Sequence, residues 1–450
     1  MHNEDQKRYL AAIIGAGPAG LYAAKQLASD GVHTVLINRD IKPGGLAEYG
    51  IYPTKYKMKT GLRKQFRRIL KDPLIEYIGN VTVGEQGDVT LDELQDLGFQ
   101  AMLISVGAQG TKWLGLPGED IPRGVYHAKD LVYYYNKLPP FSEKEYHIGQ
   151  RVALIGVGNV MLDIARWLVR TLKIEEVIAI ARRGPAEVKF DKKEMEYVVA
   201  NLDLDALDAE MARVAPVMES VGQDVEAAKE FILAALPKAL EPVSATRFRF
   251  NFLASPSRIL GNSDGQVNGL EVEETTLVPR DGDTKAKGLG TKKVLNVDTV
   301  IFCIGDRVEE TFGLPVRWNE FVKNPDPEYP VDGNSYEAFD LEEGRPIPGV
   351  FMAGWSREAS SGLVGIARKD GHNGATALYQ YLQNLSPLEN CDQIVGEARL
   401  FLQDKGIRTI SKHDIQILEA AEAAEAARQG LEEFKFKNNL EMLAAIEAQT

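Results

Sequence analysis

Short apolar runs alternate with stretches of helical periodicity along much of the chain. Ala11–Ile14, Thr34–Ile37, Ala101–Val106, Arg151–Ile155, Val177–Ala181, Val300–Cys303 and Val350–Ala353 read as buried strands. Leu21–Leu27, Met161–Leu172 and Asn373–Leu385 place apolar residues at helical spacing, and Val89–Leu94 reads as a turn entering a short helix. Runs that are apolar throughout, linked by helices, predict parallel sheets covered on both faces. Arg247–Phe252 and Leu270–Val278 alternate as antiparallel strands do, with Gly282–Thr291 as a loop. Asn201–Leu240 is alanine-rich, acidic and helical in spacing, and reads as an insert. Cys391–Lys405, His413–Glu432 and Asn438–Ala448 predict a helical C-terminal segment, whose acidic tail Ile415–Thr450 either covers the first domain or forms a dimer contact.

Two strand–turn–helix units carry glycines at the turn. The first is Ile13–Gly20, where Gly15, Gly17 and Gly20 form G-x-G-x-x-G between a strand and a helix, the context a dinucleotide site requires. Gly15 allows the tight turn, Gly17 lets a pyrophosphate approach the backbone, and Gly20 lets the helix pack on the strand. The helix N-terminus then faces the phosphates. Thr34–Ile37 ends at Asn38, where such a site usually carries an acidic residue for the ribose, and Asn bonds a hydroxyl more weakly. The second unit is Gly156-Val157-Gly158-Asn159-Val160 after Arg151–Ile155. Its next strand ends in Arg182-Arg183-Gly184-Pro185, where an NAD enzyme would carry a carboxylate. Arginines there suit a 2′-phosphate.

Composition narrows the chemistry. At 450 residues, two or three domains are expected, and 44% hydrophobic with 26% charged residues are globular values. A formal charge of −13 argues against nucleic acid as the main partner. The two cysteines, Cys303 and Cys391, form no C-x-x-C, which leaves no dithiol centre and too few thiolates for an iron–sulfur cluster. Redox chemistry would need an organic cofactor, no metal site is expected, and so few cysteines suit a reducing, cytoplasmic compartment. No continuous apolar stretch of about 18 residues predicts a membrane span. Ala11–Ala24 follows a leader of mixed charge and is not read as a signal-peptide core. Lys55, Lys57, Lys59, Arg63, Lys64, Arg67, Arg68 and Lys71 cluster within Lys55–Lys71, either as a solvated helix face or as a docking patch for an acidic partner.

The order of motifs resembles adrenodoxin reductase and its bacterial ferredoxin–NADP reductase relatives. The residues that carry the likeness are Gly156–Val160 with Asp163, Arg182-Arg183-Gly184-Pro185, Gly354-Trp355 with Gly362, Pro43-Gly44-Gly45-Leu46 through Pro53, Gly87-Asp88-Val89-Thr90, and Gly406-Ile407-Arg408. Glutamate synthase small subunits are more distant cousins with an added cysteine-rich domain. The resemblance implies an α/β chain of two Rossmann-like, three-layer, doubly wound domains. An NADP domain, 110–322 with a helical insert near 201–240, would be inserted into a discontinuous FAD domain of 1–109 and 323–450. With Gly15, Gly17, Gly20 and Asn38 of the first turn as FAD contacts, the resemblance adds Ala19, Leu46, Val89, Trp355, Gly362, Leu363 and Val364. NADP(H) contacts fall at Val157, Gly158, Asn159, Val160, Arg182, Arg183, Glu194 and Gly362. Departures stand at Asn38, at Lys55 where relatives often have His, and at Ala359-Ser360 in place of Gly-Pro.

The implied activity is hydride transfer from NADPH to FAD, then single electrons to a ferredoxin-like iron–sulfur protein. An acidic ferredoxin or flavodoxin would dock on Lys55–Lys71. Two other readings remain open at this stage: an NADPH diaphorase or electron-input flavin subunit, and a silent nucleotide-binding regulatory subunit. No side-chain nucleophile is needed. Asp163 reads either as a catalytic residue or as a helix residue bonding backbone. Trp355 reads either as core or as a flavin neighbour.

Overall fold

The computed structural model describes residues 7–359 and 364–449. In chain order, the first segment holds β1 (Leu10–Ile14), α1 (Pro18–Ser29), β2 (His33–Asn38), α2 (Tyr56–Leu70), β3 (Ile75–Gly79) and β4 (Ala101–Ile104). The middle segment holds β5 (Val125–His127), β6 (Arg151–Ile155), α3 (Asn159–Trp167), β7 (Glu176–Ile180), α4 (Leu204–Ser220), α5 (Val225–Leu233), β8 (Arg247–Asn251), β9 (Ala254–Gly261), β10 (Val267–Arg280), β11 (Asp283–Leu295) and β12 (Thr299–Phe302). The last holds β13 (Glu337–Asp340), β14 (Arg345–Met352), α6 (Val364–Leu382), α7 (Cys391–Asp404), α8 (Lys412–Gln429) and α9 (Asn439–Glu447).

Two compact units result. One comprises the residues up to Thr111, Tyr135–Glu143, and those from Gly305 onward; the other comprises Lys112–Tyr134 and Lys144–Ile304. In the first unit the sheet order is β13-β14-β4-β1-β2-β3, parallel except for the β13–β14 pair. β1 shows why its sequence is apolar throughout. Ala11 and Ile13 enter a core shared with α1, α2, α6, α8 and α9, whereas Leu10, Ala12 and Ile14 enter another shared with α7. The C-terminal helices thus complete this unit, with Leu418, Met442 and Ile446 buried in the first core. The sequence segment before β4 enters its helix through a capping box, in which the Thr90 hydroxyl accepts from the Glu93 N–H and the Glu93 carboxylate accepts from the Thr90 N–H.

In the second unit the order is β5-β12-β6-β7-β8, parallel throughout, beside an antiparallel sheet β9-β10-β11. Two strand expectations are corrected here. Arg247–Asn251 alternates but pairs parallel to β7, because it is an edge strand with one face open. Gly282–Thr291 is not a loop: only Gly282 is turn, and Asp283–Thr291 belongs to β11, which pairs with β10 from Arg280↔Asp283 onward. β11 buries almost nothing, so its Gly- and Lys-rich sequence carries no hydrophobic signal.

The unit boundaries also differ from the expected ones. Gly305–Val322 belongs with the first unit, since Gly110–Thr111 pairs with Asp306–Arg307 and Val308, Phe312, Leu314 and Phe321 fill its core. Tyr135–Glu143 belongs there too: the Asn136 carbonyl accepts from Lys435 Nζ, and the Tyr135 ring meets Tyr52.

Candidate functional site

Each unit builds the same turn from its first strand. In the first unit, Gly15 takes φ +103° and sits so close to β4 that a Cβ would lie 2.5 Å from the Ser105 carbonyl oxygen. Gly20 is tighter still: a Cβ there would lie 2.0 Å from the Gly15 oxygen. Both glycines are demanded by packing. Gly17 is different. It caps α1 in extended backbone, φ −74° and ψ −177°, and a Cβ would meet nothing within 4 Å. No side chain caps α1, so the N–H groups of its first turn, which begins at Pro18, have no side-chain acceptor. Gly45 closes on the turn, its added Cβ 3.1 Å from Gly17 Cα, and the Gly44 N–H donates to the Ala16 carbonyl at 2.7 Å. Packing explains Gly15 and Gly20 but not Gly17, where the empty space at a helix N-terminus fits a pyrophosphate.

Ala19 is the seat for the C-terminal part of this unit. A Cβ on Gly371 of α6 would lie 2.2 Å from the Ala19 oxygen, and one on Gly354 would lie 2.8 Å from the Ala19 Cβ. The Gly354–Ser356 turn that carries Trp355 is held by one carboxylate. Asp370 accepts from the Gly354 N–H at 2.6 Å, from Arg357 at 2.6 and 3.0 Å, and from the Tyr336 hydroxyl at 3.2 Å. Burial, with Asp370 beside it, pushes the Tyr336 hydroxyl up to about 12. Leu46 follows Gly45 at the start of a short helix, Val89 is buried, and Val364 opens α6 half-buried. Gly362 and Leu363 lie outside the described residues. A polar cavity of about 670 Å³ opens past the end of β2, lined among others by Arg39, Asp40, Thr82, Lys405, Arg408 and Asn438.

The second unit repeats the geometry. Gly156 takes φ +113° with a Cβ position 2.5 Å from the Cys303 oxygen, while Gly158 caps α3 and faces nothing within 4 Å. The Val157 carbonyl accepts from the Lys189 N–H at 2.9 Å, and the Asn159 amide exchanges hydrogen bonds with Asp191 at 2.7 and 2.8 Å. Val160 is exposed and Asp163 is half-buried on the second turn of α3. Arg182 projects into solvent after β7, Arg183 is half-buried, and Glu194 sits half-buried on the short helix Lys192–Met195.

A pyridine nucleotide-disulphide oxidoreductase family model matches residues 9–206, which span both turns and the arginine pair. NADPH-ferredoxin reductase FprA of Mycobacterium leprae (strain TN) is 27% identical over 474 residues, covering 96% of this chain and 97% of that protein. Mitochondrial NADPH:adrenodoxin oxidoreductase of Homo sapiens is 27% identical over 468 residues, covering 96% and 90%. The solved structure of Mycobacterium tuberculosis FprA in complex with NADPH matches with a TM-score of 0.79 at 26% identity, covering 98% of this chain and all of that one (100%). Over nearly its whole length the chain is similar to adrenodoxin reductase-like NADPH reductases.

Two expected site elements are used inside the fold. Asn38 does not offer a free group to a ribose. It is 7% exposed; its Oδ1 accepts from the Ala16 N–H at 2.9 Å, and its Nδ2 donates to the Asp40 and Lys42 carbonyls at 2.8 and 3.2 Å. A carboxylate would lack those donors. Asn38 therefore braces the glycine turn from beneath, and Arg39 and Asp40 are the residues that reach the cavity.

The basic stretch is the second. Half of α2 is committed within the unit. Lys59, 1% exposed, pairs with Glu433 at 2.8 Å; Arg63 pairs with Glu48 and Glu433, each at 2.6 Å; Arg67 pairs with Glu419 at 2.6 Å. Lys42 joins Glu48 and Glu422, and Lys435 joins Glu48 at 2.9 Å. Burial raises the Glu48 carboxyl, but Lys42, Lys435 and Arg63 outweigh it and hold it well below the usual range. Burial pulls the Lys435 ammonium down to about 8. Only Lys57, Lys64, Arg68 and Lys71 remain as an exposed basic stripe without such ties.

Proposed function

We propose that the chain is an NADPH-dependent flavoprotein reductase that passes electrons to a ferredoxin-like iron–sulfur protein. The observation that carries this is the repeated turn: Gly17 and Gly158 each sit at the N-cap of a helix that no side chain caps and face open space, although packing alone would tolerate a side chain there. Full-length similarity to named NADPH reductases supports the same reading. The chemistry is the cofactors' own: hydride transfer from nicotinamide to flavin, then one-electron release.

This chain's residues supply position and charge. The α1 N-terminus and Gly15–Gly20 would hold the FAD pyrophosphate, with Gly45-Leu46 and Val89 around the rest. Asp370, through Gly354 and Arg357, fixes the turn presenting Trp355, and Val364 with its neighbours Gly362 and Leu363 would follow it. Val157–Val160 would hold the NADP(H) pyrophosphate, Arg182 and Arg183 its 2′-phosphate, and Glu194 would complete that site. Asp163 has no role in this account beyond its helix. An acidic ferredoxin or flavodoxin fits the exposed stripe of Lys57, Lys64, Arg68 and Lys71, and the scarcity of cysteine fits a reducing, cytoplasmic setting.

The test is reconstitution. The purified protein should carry FAD and should reduce an acidic ferredoxin with NADPH, as followed by a coupled haem-protein acceptor. A preparation that cannot be loaded with flavin sinks the proposal.

A further inference from the structure

The β10–β11 hairpin, whose second strand carries no signal in the sequence, ends on the arginine pair. Its tip turns at Asp281-Gly282, and the next residue is Asp283. Arg183 Nη1 donates to both Asp283 carboxylate oxygens at 3.2 Å and to the Thr284 carbonyl at 3.1 Å. Asp283 is itself fixed, since the Thr284 N–H donates to its Oδ1 at 2.7 Å. The hairpin end is mounted on the loop just past the arginines: the Thr284 hydroxyl bonds Glu187, and Gln223 Nε2 donates to the same Glu187 oxygen at 2.7 Å. A second strap joins them, as the Thr275 hydroxyl donates to the Arg182 carbonyl at 2.7 Å.

All these contacts fall on one end of the guanidinium. Among the described residues, Arg183 Nε and Nη2 take no acceptor. That pair of donors is the edge that grips a planar or tetrahedral oxyanion in a two-point manner. An arginine left to itself would sample many rotamers and lose that freedom on binding. Held by Nη1, it keeps its side-on edge presented.

We propose that Asp283 is a positioning residue for recognition of the 2′-phosphate: it clamps Arg183 by one terminal nitrogen so that the Nε–Nη2 edge stays open to that phosphate. The inference rests on the reading of Arg182 and Arg183 as the 2′-phosphate ligands. Selectivity for the phosphorylated dinucleotide is then set partly by a hairpin more than 90 residues away in sequence. The exposed carboxylate, 73% accessible, is well screened and repels the ligand little.

The test is calorimetric binding of two fragments to the full-length protein, adenosine 2′,5′-bisphosphate and 5′-AMP, which differ only in the 2′-phosphate. Asp283→Ala should weaken the bisphosphate by about two- to tenfold, the range for ordering one long side chain. It should leave 5′-AMP unchanged, and Asp283→Asn, which keeps an acceptor, should restore most of the loss. If Asp283→Ala binds the bisphosphate as well as or better than wild type while Arg183→Ala binds it worse, the positioning role is overturned and the arginine reading stands. If Arg183→Ala keeps the wild-type preference for the bisphosphate, the arginine reading itself fails.

Discussion

Gly17 separates a fold requirement from a ligand requirement. The substitution Gly17→Ala adds one methyl at backbone angles any residue adopts, into space with no neighbour within 4 Å. The protein without flavin should lose only about 0.5–1 kcal/mol, the difference in capping preference. With FAD, that methyl would stand where a phosphate meets the α1 N–H groups. Overpacking of this kind costs about 1–3 kcal/mol, or roughly 5–150-fold in affinity. Gly20→Ala is the contrast, because its methyl would lie 2.0 Å from the Gly15 oxygen and 2.5 Å from Ser105 Oγ. That variant should be destabilised even without flavin, since backbone must move. The assay is bound flavin measured after release, beside urea unfolding of the flavin-free proteins. Wild-type FAD affinity in Gly17→Ala would refute the argument that the open space is a phosphate site.

Other outcomes follow from the same contacts. Glu48→Gln should cost about 3–5 kcal/mol in urea unfolding, because three cations, two of them with buried side chains, lose their shared buried carboxylate. Its pH dependence has a fixed sign. The folded carboxyl lies below its unfolded value, so the stabilisation is complete above about pH 4.3 and is lost as pH falls through the folded value. The gap between wild type and variant should narrow in acid, and a constant gap would contradict the buried charge. Asp370→Ala removes the acceptor of the Gly354 N–H and the Arg357 partner. It should weaken FAD retention and alter flavin fluorescence; an unchanged spectrum and affinity would separate Trp355 from the flavin. Lys64→Glu with Arg68→Glu should slow reduction of an acidic ferredoxin at low salt and spare ferricyanide. Equal rates with wild type would make the stripe a solvated face.

Much of this architecture is legible in the sequence where both faces of a strand are buried. β1 is apolar throughout because each side chain finds a core, β6 is apolar and buried after Arg151, and Gly15 and Gly156 mark turns that only glycine fits. Legibility fails at edges and over distance. β11 is a strand by backbone pairing alone, with a sequence that reads as a loop. The basic helix α2 looks like a docking face because its partners, Glu419 and Glu433, lie more than 350 residues away. Asn38 stands where a ribose ligand is expected, yet its amide is used by Ala16, Asp40 and Lys42, a role visible only once the turn is built. Asp283 and Asp370 carry no local motif at all; each matters through the backbone or arginine it holds.

The most direct measurement is anaerobic stopped-flow mixing of the FAD-loaded protein with NADPH and, separately, NADH, followed at the flavin's visible absorbance. Rapid bleaching by NADPH and much slower bleaching by NADH are expected. No bleaching by either would contradict the central claim, and equal rates would contradict the role given to Arg182 and Arg183.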